Sequence, residues 1–138
     1  MAEISYRAVK RTPTVVEYLQ LCAAAGLSPF SEEAASKGLV GTVFAVVIER
    51  EDRVVGMGRF IGDGGCFFQI VDIAVNPNDQ GQGLGKAIMR DPMEFVTNHL
   101  PASAYVSLIA DAPANRLYEK FGFVEIAPRS LGMARRAR

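Results

Sequence analysis

The sequence holds one histidine, two cysteines and no excess of charge of either sign, which removes several functional classes at the outset. His99 stands alone, and Cys22 and Cys66 form no CxxC pair, so neither a zinc-binding spacing nor a disulfide framework is present. No metal is expected, and both cysteines read as small buried apolar residues. Fifteen basic residues balance fifteen acidic ones, leaving no field to attract DNA or RNA by counterion release. The only local excess, Arg135, Arg136 and Arg138, reads as a solvated end. Apolar runs fall well short of the ~20 residues of a membrane crossing, and the opening MAEISYRAVKR lacks the apolar centre of a secretory signal. These absences argue against nucleic acid and membrane partners and point to a cytoplasmic protein.

What remains is an ordinary globular composition, 49% hydrophobic and 22% charged, without repeats or low-complexity tracts. A chain of 138 residues suits one domain, spanning residues 1–138, with no room for a second catalytic domain. Residues 3–9 alternate in part, with Ile4, Tyr6 and Val9, as a short first strand does. Val15, Val16, Leu19, Cys22 and Ala23 recur at spacings of three and four, predicting a helix from Thr14 to near Gly26. After a loop around Phe30, Ser31 followed by Glu32 and Glu33 reads as the N-cap of a second helix that stops at Gly38. The apolar run 43–49, the charged turn Arg50, Glu51 and Asp52, and the return 53–61 make a hairpin. Gly56 and Gly58 within its second arm signal a bulge or a close approach to the backbone.

A turn at Asp63, Gly64 and Gly65 leads to a third strand over 66–75. Beyond it the pattern predicts a helix over 84–98, a strand over 104–110, a helix over 113–121 and a strand over 123–126. The order is that of an α/β chain with a mixed central sheet of about six to seven strands, antiparallel in its N-terminal part and flanked by about four helices. In the last helix Asp111 reads as N-cap, Pro113 as a first-turn residue and Gly122 as the left-handed stop. Pro92 falls inside the long helix, where it should cause a kink or a break.

The stretch IVDIAVNPNDQGQGLGKAIM, residues 70–89, joins a strand to a helix through a loop with glycines at 81, 83 and 85. Glycine lets the backbone come close to a phosphate, and the first helical amides have no partner within the helix, so the stretch reads as an anion cradle. It is not a Walker loop, since Gln80 stands where the first glycine belongs and Ala87 where Ser or Thr would hold magnesium. The dinucleotide fingerprint fails too, with Lys86 or Ile88 in place of its third glycine. What fits is QxxGxG, as Gln80, Gly83 and Gly85, just after a strand. Together with the preceding DIAVNP and the later NRLYEKFGF, this resembles the GNAT superfamily of acetyl-CoA-dependent N-acetyltransferases over about residues 43–126.

The resemblance implies a GNAT-like fold and acetyl-CoA (coenzyme A) as cofactor. It implies that the backbone of Ile73, Ala74 and Val75 lies beside the pantetheine arm, and that the amides of Gln80, Gly81, Gln82, Gly83, Leu84, Gly85 and Lys86 hold the pyrophosphate. Asn115 would touch the pantetheine, and Tyr118 would protonate the departing thiolate. A phenol with an ordinary pKa near 10 can do so at neutral pH; the plain alternative is a core aromatic on the stripe of Ala114, Leu117, Tyr118 and Phe121. An amine nucleophile must also lose a proton. Gln69 stands about where some members carry a glutamate base, and an amide cannot replace it, which makes Asp72 the candidate base or else a structural carboxylate.

With a lone His99 and no thiolate-stabilising partner for Cys66, direct attack by the amine within a ternary complex is favoured over a covalent intermediate. Phe30, Phe67 and Gln69 are candidates for the acceptor side, although either phenylalanine could equally be core. The expected acceptor is a primary amine of a small molecule, with a protein lysine or N-terminus as the alternative. A non-catalytic acyl-CoA-binding module and a small-anion binder are the competing classes. Dimers are common in the family, so a homodimer is compatible with the resemblance.

Overall fold

A computed structural model describes residues 5–138 of the chain. They fall into two compact units, Met1–Leu108 and Ile109–Arg138. The first holds a five-stranded sheet in the order β1-β2-β3-β4-β5 with three helices. Its strands are β1 (Arg7–Val9), β2 (Phe44–Arg50), β3 (Arg53–Gly62), β4 (Phe67–Val75) and β5 (Tyr105–Leu108). Pairing is antiparallel from β1 to β4 and parallel between β4 and β5, the mixed sheet expected from the order of elements. The expected first strand is described only over Arg7–Val9; Glu3 and Ile4 lie outside the described residues.

Helix α1 (Val15–Ala25) starts where Thr14 and Glu17 close a reciprocal capping box, and it ends on Gly26 in the left-handed conformation. Helix α2 (Glu32–Val40) is capped by Ser31 but runs two residues past Gly38 to a cap at Gly41. Leu39, buried among Tyr18, Leu21, Met57 and Ala74, carries the helix beyond the glycine. Helix α3 (Leu84–His99) continues through Pro92 without a break. His99 closes it on the surface, its ring 5.2 Å from that of Phe95.

The sheet is covered on both faces, which is why β2 is apolar almost throughout rather than alternating. Val47, Met57 and Ala74 face α1 and α2, with Tyr18, Leu21, Cys22, Ala35 and Leu39. Val46, Ile48 and Val55 face α3, through Leu84 and Ile88. Cys22 is buried as expected, whereas Cys66, in the turn before β4, is exposed. That turn is organised by Asp63, whose Oδ1 accepts the amides of Gly65, Cys66 and Phe67 and leaves the intervening side chains in solvent.

The second unit contains one short helix, α4 (Asn115–Glu119), instead of the longer helix expected from residue 113. Asp111 is not its N-cap. That position is Ala114, which makes no side-chain cap, while Asp111 contributes only its carbonyl to a turn with the Ala114 amide. Gly122 is left-handed, at φ 89°, but it is not the stop of α4, whose C-cap is Lys120. The strand expected over 123–126 does not form, and the sheet has five strands among the described residues instead of six or seven. Val124 and Ile126 are exposed, and no ladder partner supports the alternation that suggested a strand.

Candidate functional site

The middle of β4 carries an extra residue. Met57 and Arg59 are two apart on β3, yet their partners Ala74 and Val71 are three apart on β4. Asp72 absorbs the difference with φ 59°, a left-handed conformation that Asp tolerates better than most residues. The consequence is a change of face. Strict alternation from the buried Phe68 and Ile70 would send Asp72 toward α3, whereas the bulge turns it toward α1 and α2, on the side of Phe67 and Gln69.

There the carboxylate meets a cation. Asp72 Oδ2 accepts Arg59 Nε at 2.9 Å and the Tyr18 hydroxyl at 3.0 Å. Arg59 Nη1 donates to Thr42 Oγ1 at 2.7 Å and to the Gly38 carbonyl at 3.3 Å, and its guanidinium lies 5.5 Å from the centre of the Tyr18 ring. Burial and the Asp72 charge push the Tyr18 hydroxyl well above the usual phenol range, so it stays a donor. Burial likewise raises the Cys22 thiol, which is no nucleophile there. Arg59, Tyr18 and Thr42 did not stand out in the sequence, because nothing local relates them to Asp72.

Just before the bulge β4 loses one neighbour. Its pairing with β5 ends at Ile70 and Leu108, while its pairing with β3 continues to Val75. In the first unit the segment holding Ile73, Ala74 and Val75 therefore has a ladder on one side only. An extended ligand can add to such an edge by main-chain hydrogen bonds.

Asn76 then starts the loop, tied down by its amide to the Val55 carbonyl at 2.7 Å and capping the Asn78 amide with its own side chain. A 3-10 turn (Pro77–Asp79) follows. Gly81 and Gly83 take φ 81° and 76°, with nothing within 4 Å of where a Cβ would stand. Gly83 is the N-cap of α3 and offers no side chain to its amides. The first helical bond runs from the Ala87 amide to the Gly83 carbonyl, and the amides of residues 80–86 form no hydrogen bond among the described residues. Seven consecutive amides without partners, the last three in the first turn of a 16-residue helix, leave a run of donors of the kind that can receive an anion. Gln80 leans back, its Nε2 3.4 Å from the Val75 carbonyl, and Lys86 is exposed.

Before the cradle lies a group that the sequence reading missed. Asp79 is 2% exposed, and its Oδ1 accepts Arg50 Nη1 at 2.7 Å and the Tyr6 hydroxyl at 3.0 Å. Aspartate in a polar loop reads as a surface residue, and its partners lie 29 and 73 positions away.

Of the acceptor candidates, Phe67 is 66% exposed with its ring edge-on to Tyr105 at 6.2 Å, Phe30 is 44% exposed, and Gln69 is half-buried. Neither phenylalanine is core. In the second unit Tyr118 is buried, and burial together with the Asp111 charge raises its pKa. Asn115 Nδ2 reaches Glu119 Oε1 at 3.4 Å along α4. Among the described residues no cluster of histidine, cysteine or carboxylate side chains could hold a metal ion, and no helix is long and apolar enough to cross a membrane.

The first unit thus joins a strand with one open side to a glycine-capped helix start whose amides have no partner. The sequence matches the model of the acetyltransferase (GNAT) domain over residues 17–132, and the chain belongs to the GNAT family. It is 48% identical to a protein from methicillin-resistant Staphylococcus aureus described as a probable acetyltransferase of unknown function. Their structures align over 96% of this chain and 99% of that one, with a TM-score of 0.91. It is 32% identical over 75 residues to the chloroplastic GCN5-related N-acetyltransferase 2 of Arabidopsis thaliana, and 28% identical over 87 residues to the uncharacterized N-acetyltransferase ycf52 of Porphyra purpurea. These matches take in 54% and 61% of this chain but span only 28% and 49% of those two proteins.

Proposed function

We propose that the chain is an N-acetyltransferase that moves the acetyl group of acetyl-CoA to a primary amine of a small molecule by direct transfer in a ternary complex. The observation that carries this reading is the run of free amides over residues 80–86, at the start of α3 in a chain of the GNAT family. Acetyl-CoA, when bound, supplies an acyl thioester open to attack by an amine.

The protein's part is binding, placement and proton transfer. The amides of residues 80–86 hold the diphosphate, with Lys86 adding positive charge, and the open side of β4 at Ile73, Ala74 and Val75 takes the pantetheine arm. Tyr118 Oη is the proton donor for the departing thiolate, since a raised pKa keeps the phenol protonated across the neutral range. Asp72 is the proton acceptor on the amine side. Both donors it receives go to Oδ2, and Oδ1 makes no hydrogen bond among the described residues, leaving that oxygen to accept the amine's proton directly or through water. Phe30, Phe67 and Gln69 form the acceptor side. The exposure of the two phenylalanine rings supports contact with a ligand, and aromatic faces suit a small organic amine.

Two measurements test the proposal. Calorimetric titration with coenzyme A reports whether the cradle binds, and free thiol release from acetyl-CoA with a panel of small amines reports whether transfer follows. Binding with no thiol release from any amine would leave an acyl-CoA-binding module. Release only with peptides bearing lysine or a free N-terminus would move the acceptor to protein.

A further inference from the structure

The loop of the cradle is bounded by two fixed points. Downstream, Leu84 is buried in the α3 face of the core beside Ile88. Between Asp79 and Leu84 the loop has little packing of its own, with two left-handed glycines facing open space. Upstream the fixed point is polar: Asp79, gripped by Arg50 at the end of β2 and by Tyr6 just before β1. Tyr6 packs on the same apolar cluster as Leu84 and Ile88, and burial followed by the Asp79 contact raises its pKa, so its hydroxyl remains a donor. The position of Asp79 is unusual for its chemistry. It places a buried carboxylate next in sequence to the first amide of an anion site, where an uncompensated negative charge would oppose the ligand. The Arg50 contact, with Asp79 almost wholly enclosed, supplies the compensating charge.

We propose that Asp79 is the positioning residue of the diphosphate cradle, and that Arg50 neutralises it so that the amides beside it can accept an anion. Tyr6 completes the clamp. The inference rests on reading residues 80–86 as the coenzyme A diphosphate site, and it adds three residues that touch no ligand but set where the amides stand. Removing Arg50 alone leaves a buried charge beside the ligand, whereas removing both charges leaves a neutral pair that can still hydrogen-bond.

The test is calorimetric titration of the folded chain with coenzyme A and, separately, with S-acetylpantetheine, which lacks the diphosphate. Wild type, Arg50→Gln, Asp79→Asn, the double variant and Tyr6→Phe are compared. Arg50→Gln is expected to weaken coenzyme A binding on the order of tenfold, as misplacement of a binding group does. The double variant should recover most of that loss, and Tyr6→Phe should produce a smaller one. Binding of S-acetylpantetheine should stay at the wild-type level in every variant, because a general structural defect would weaken both ligands. Equal coenzyme A affinity in wild type and Arg50→Gln overturns the proposal, as does a double variant no better than Arg50→Gln, or a parallel loss for both ligands. If the charge variants do not fold, Tyr6→Phe decides alone by the same comparison of ligands. Failure of the wild-type protein itself to bind coenzyme A is a different result, and it removes the site reading.

Discussion

Gly58 offers the sharpest test of how the sheet holds α3. It lies in β3 opposite the bulge at Asp72, and a Cβ added there would stand 2.6 Å from Ile88 Cγ2 and 2.8 Å from Ile73 Cδ1. Non-bonded carbons settle at about 3.5–4.0 Å, so each contact is short by roughly 1 Å. The two differ in how they can yield. Ile73 Cδ1 is the far end of a flexible side chain and can rotate away, whereas Ile88 Cγ2 sits on a β-branch whose place is set by the helix backbone. Gly58→Ala must therefore push α3 outward or strain Ile88. Overpacking of this kind costs about 1–3 kcal/mol, and removing glycine's backbone freedom returns about 0.5–1 kcal/mol; because both contacts here are far inside normal separation, the cost lies toward the upper half of its range, about 2–3 kcal/mol, leaving a net loss of about 1–2 kcal/mol. For a domain of this size the melting temperature should fall by about 3–8 °C. Ile88→Leu removes the β-branch methyl at nearly constant volume, so Gly58→Ala with Ile88→Leu should be more stable than the two single losses predict, by about 1 kcal/mol. Thermal unfolding of the four proteins measures this. Because Ile88 lies one turn from the cradle's helix start, Gly58→Ala should also weaken coenzyme A binding. A Gly58→Ala protein that melts with wild type, or a cycle with no coupling, refutes the close-approach argument.

Three further outcomes are expected. Arg59→Met leaves the Asp72 carboxylate, 13% exposed, without its cation, and should cost about 3 kcal/mol in urea unfolding; adding Asp72→Leu should restore much of it, and no recovery would show that charge burial is not the cause. Glu17 is held at a pKa of about 2, first by its hydrogen bond from Arg11 and also by the Thr14 backbone. A depressed carboxylate stabilises above its unfolded value near 4.5 and loses that contribution as pH falls toward 2. After allowance for solvent screening the effect is about 1 kcal/mol, so the wild-type advantage over Glu17→Gln in melting temperature should shrink across that window, and a constant gap would contradict it. Tyr118→Phe should lower turnover by about a hundredfold while acetyl-CoA affinity stays within about twofold; wild-type turnover would remove the phenol from the chemistry.

Local signals located most elements because their causes lie within a few residues of one another. Thr14 with Glu17, Ser31 before two glutamates, and Gly26 just past an apolar helix each specify a helix end by short-range hydrogen bonding, and each end is where it was expected. Gly38 does not stop its helix and Pro92 does not break its own, for one reason. Both are breakers by intrinsic preference, and in both cases packing prevails, through the buried Leu39 beside one and the burial of Pro92 itself in the other. The sequence 123–126 shows the reverse, strand-like alternation with no partner strand to pair it. Cys66 is exposed because Asp63 folds the turn around it, a contact that composition cannot foresee.

Sequence by itself determined the family resemblance, the mixed α/β order and the glycine loop between β4 and α3, because motifs and glycine spacing act through the backbone of neighbouring residues. Only the tertiary structure decided how that loop is held and what Asp72 faces. One extra residue in β4 turns Asp72 away from the α3 core and into the reach of Arg59 and Tyr18. One buried carboxylate, Asp79, joins the loop to Tyr6 and Arg50. Pairings between residues so far apart along the chain depend on strand register and helix position, and these are set by packing across the whole sheet.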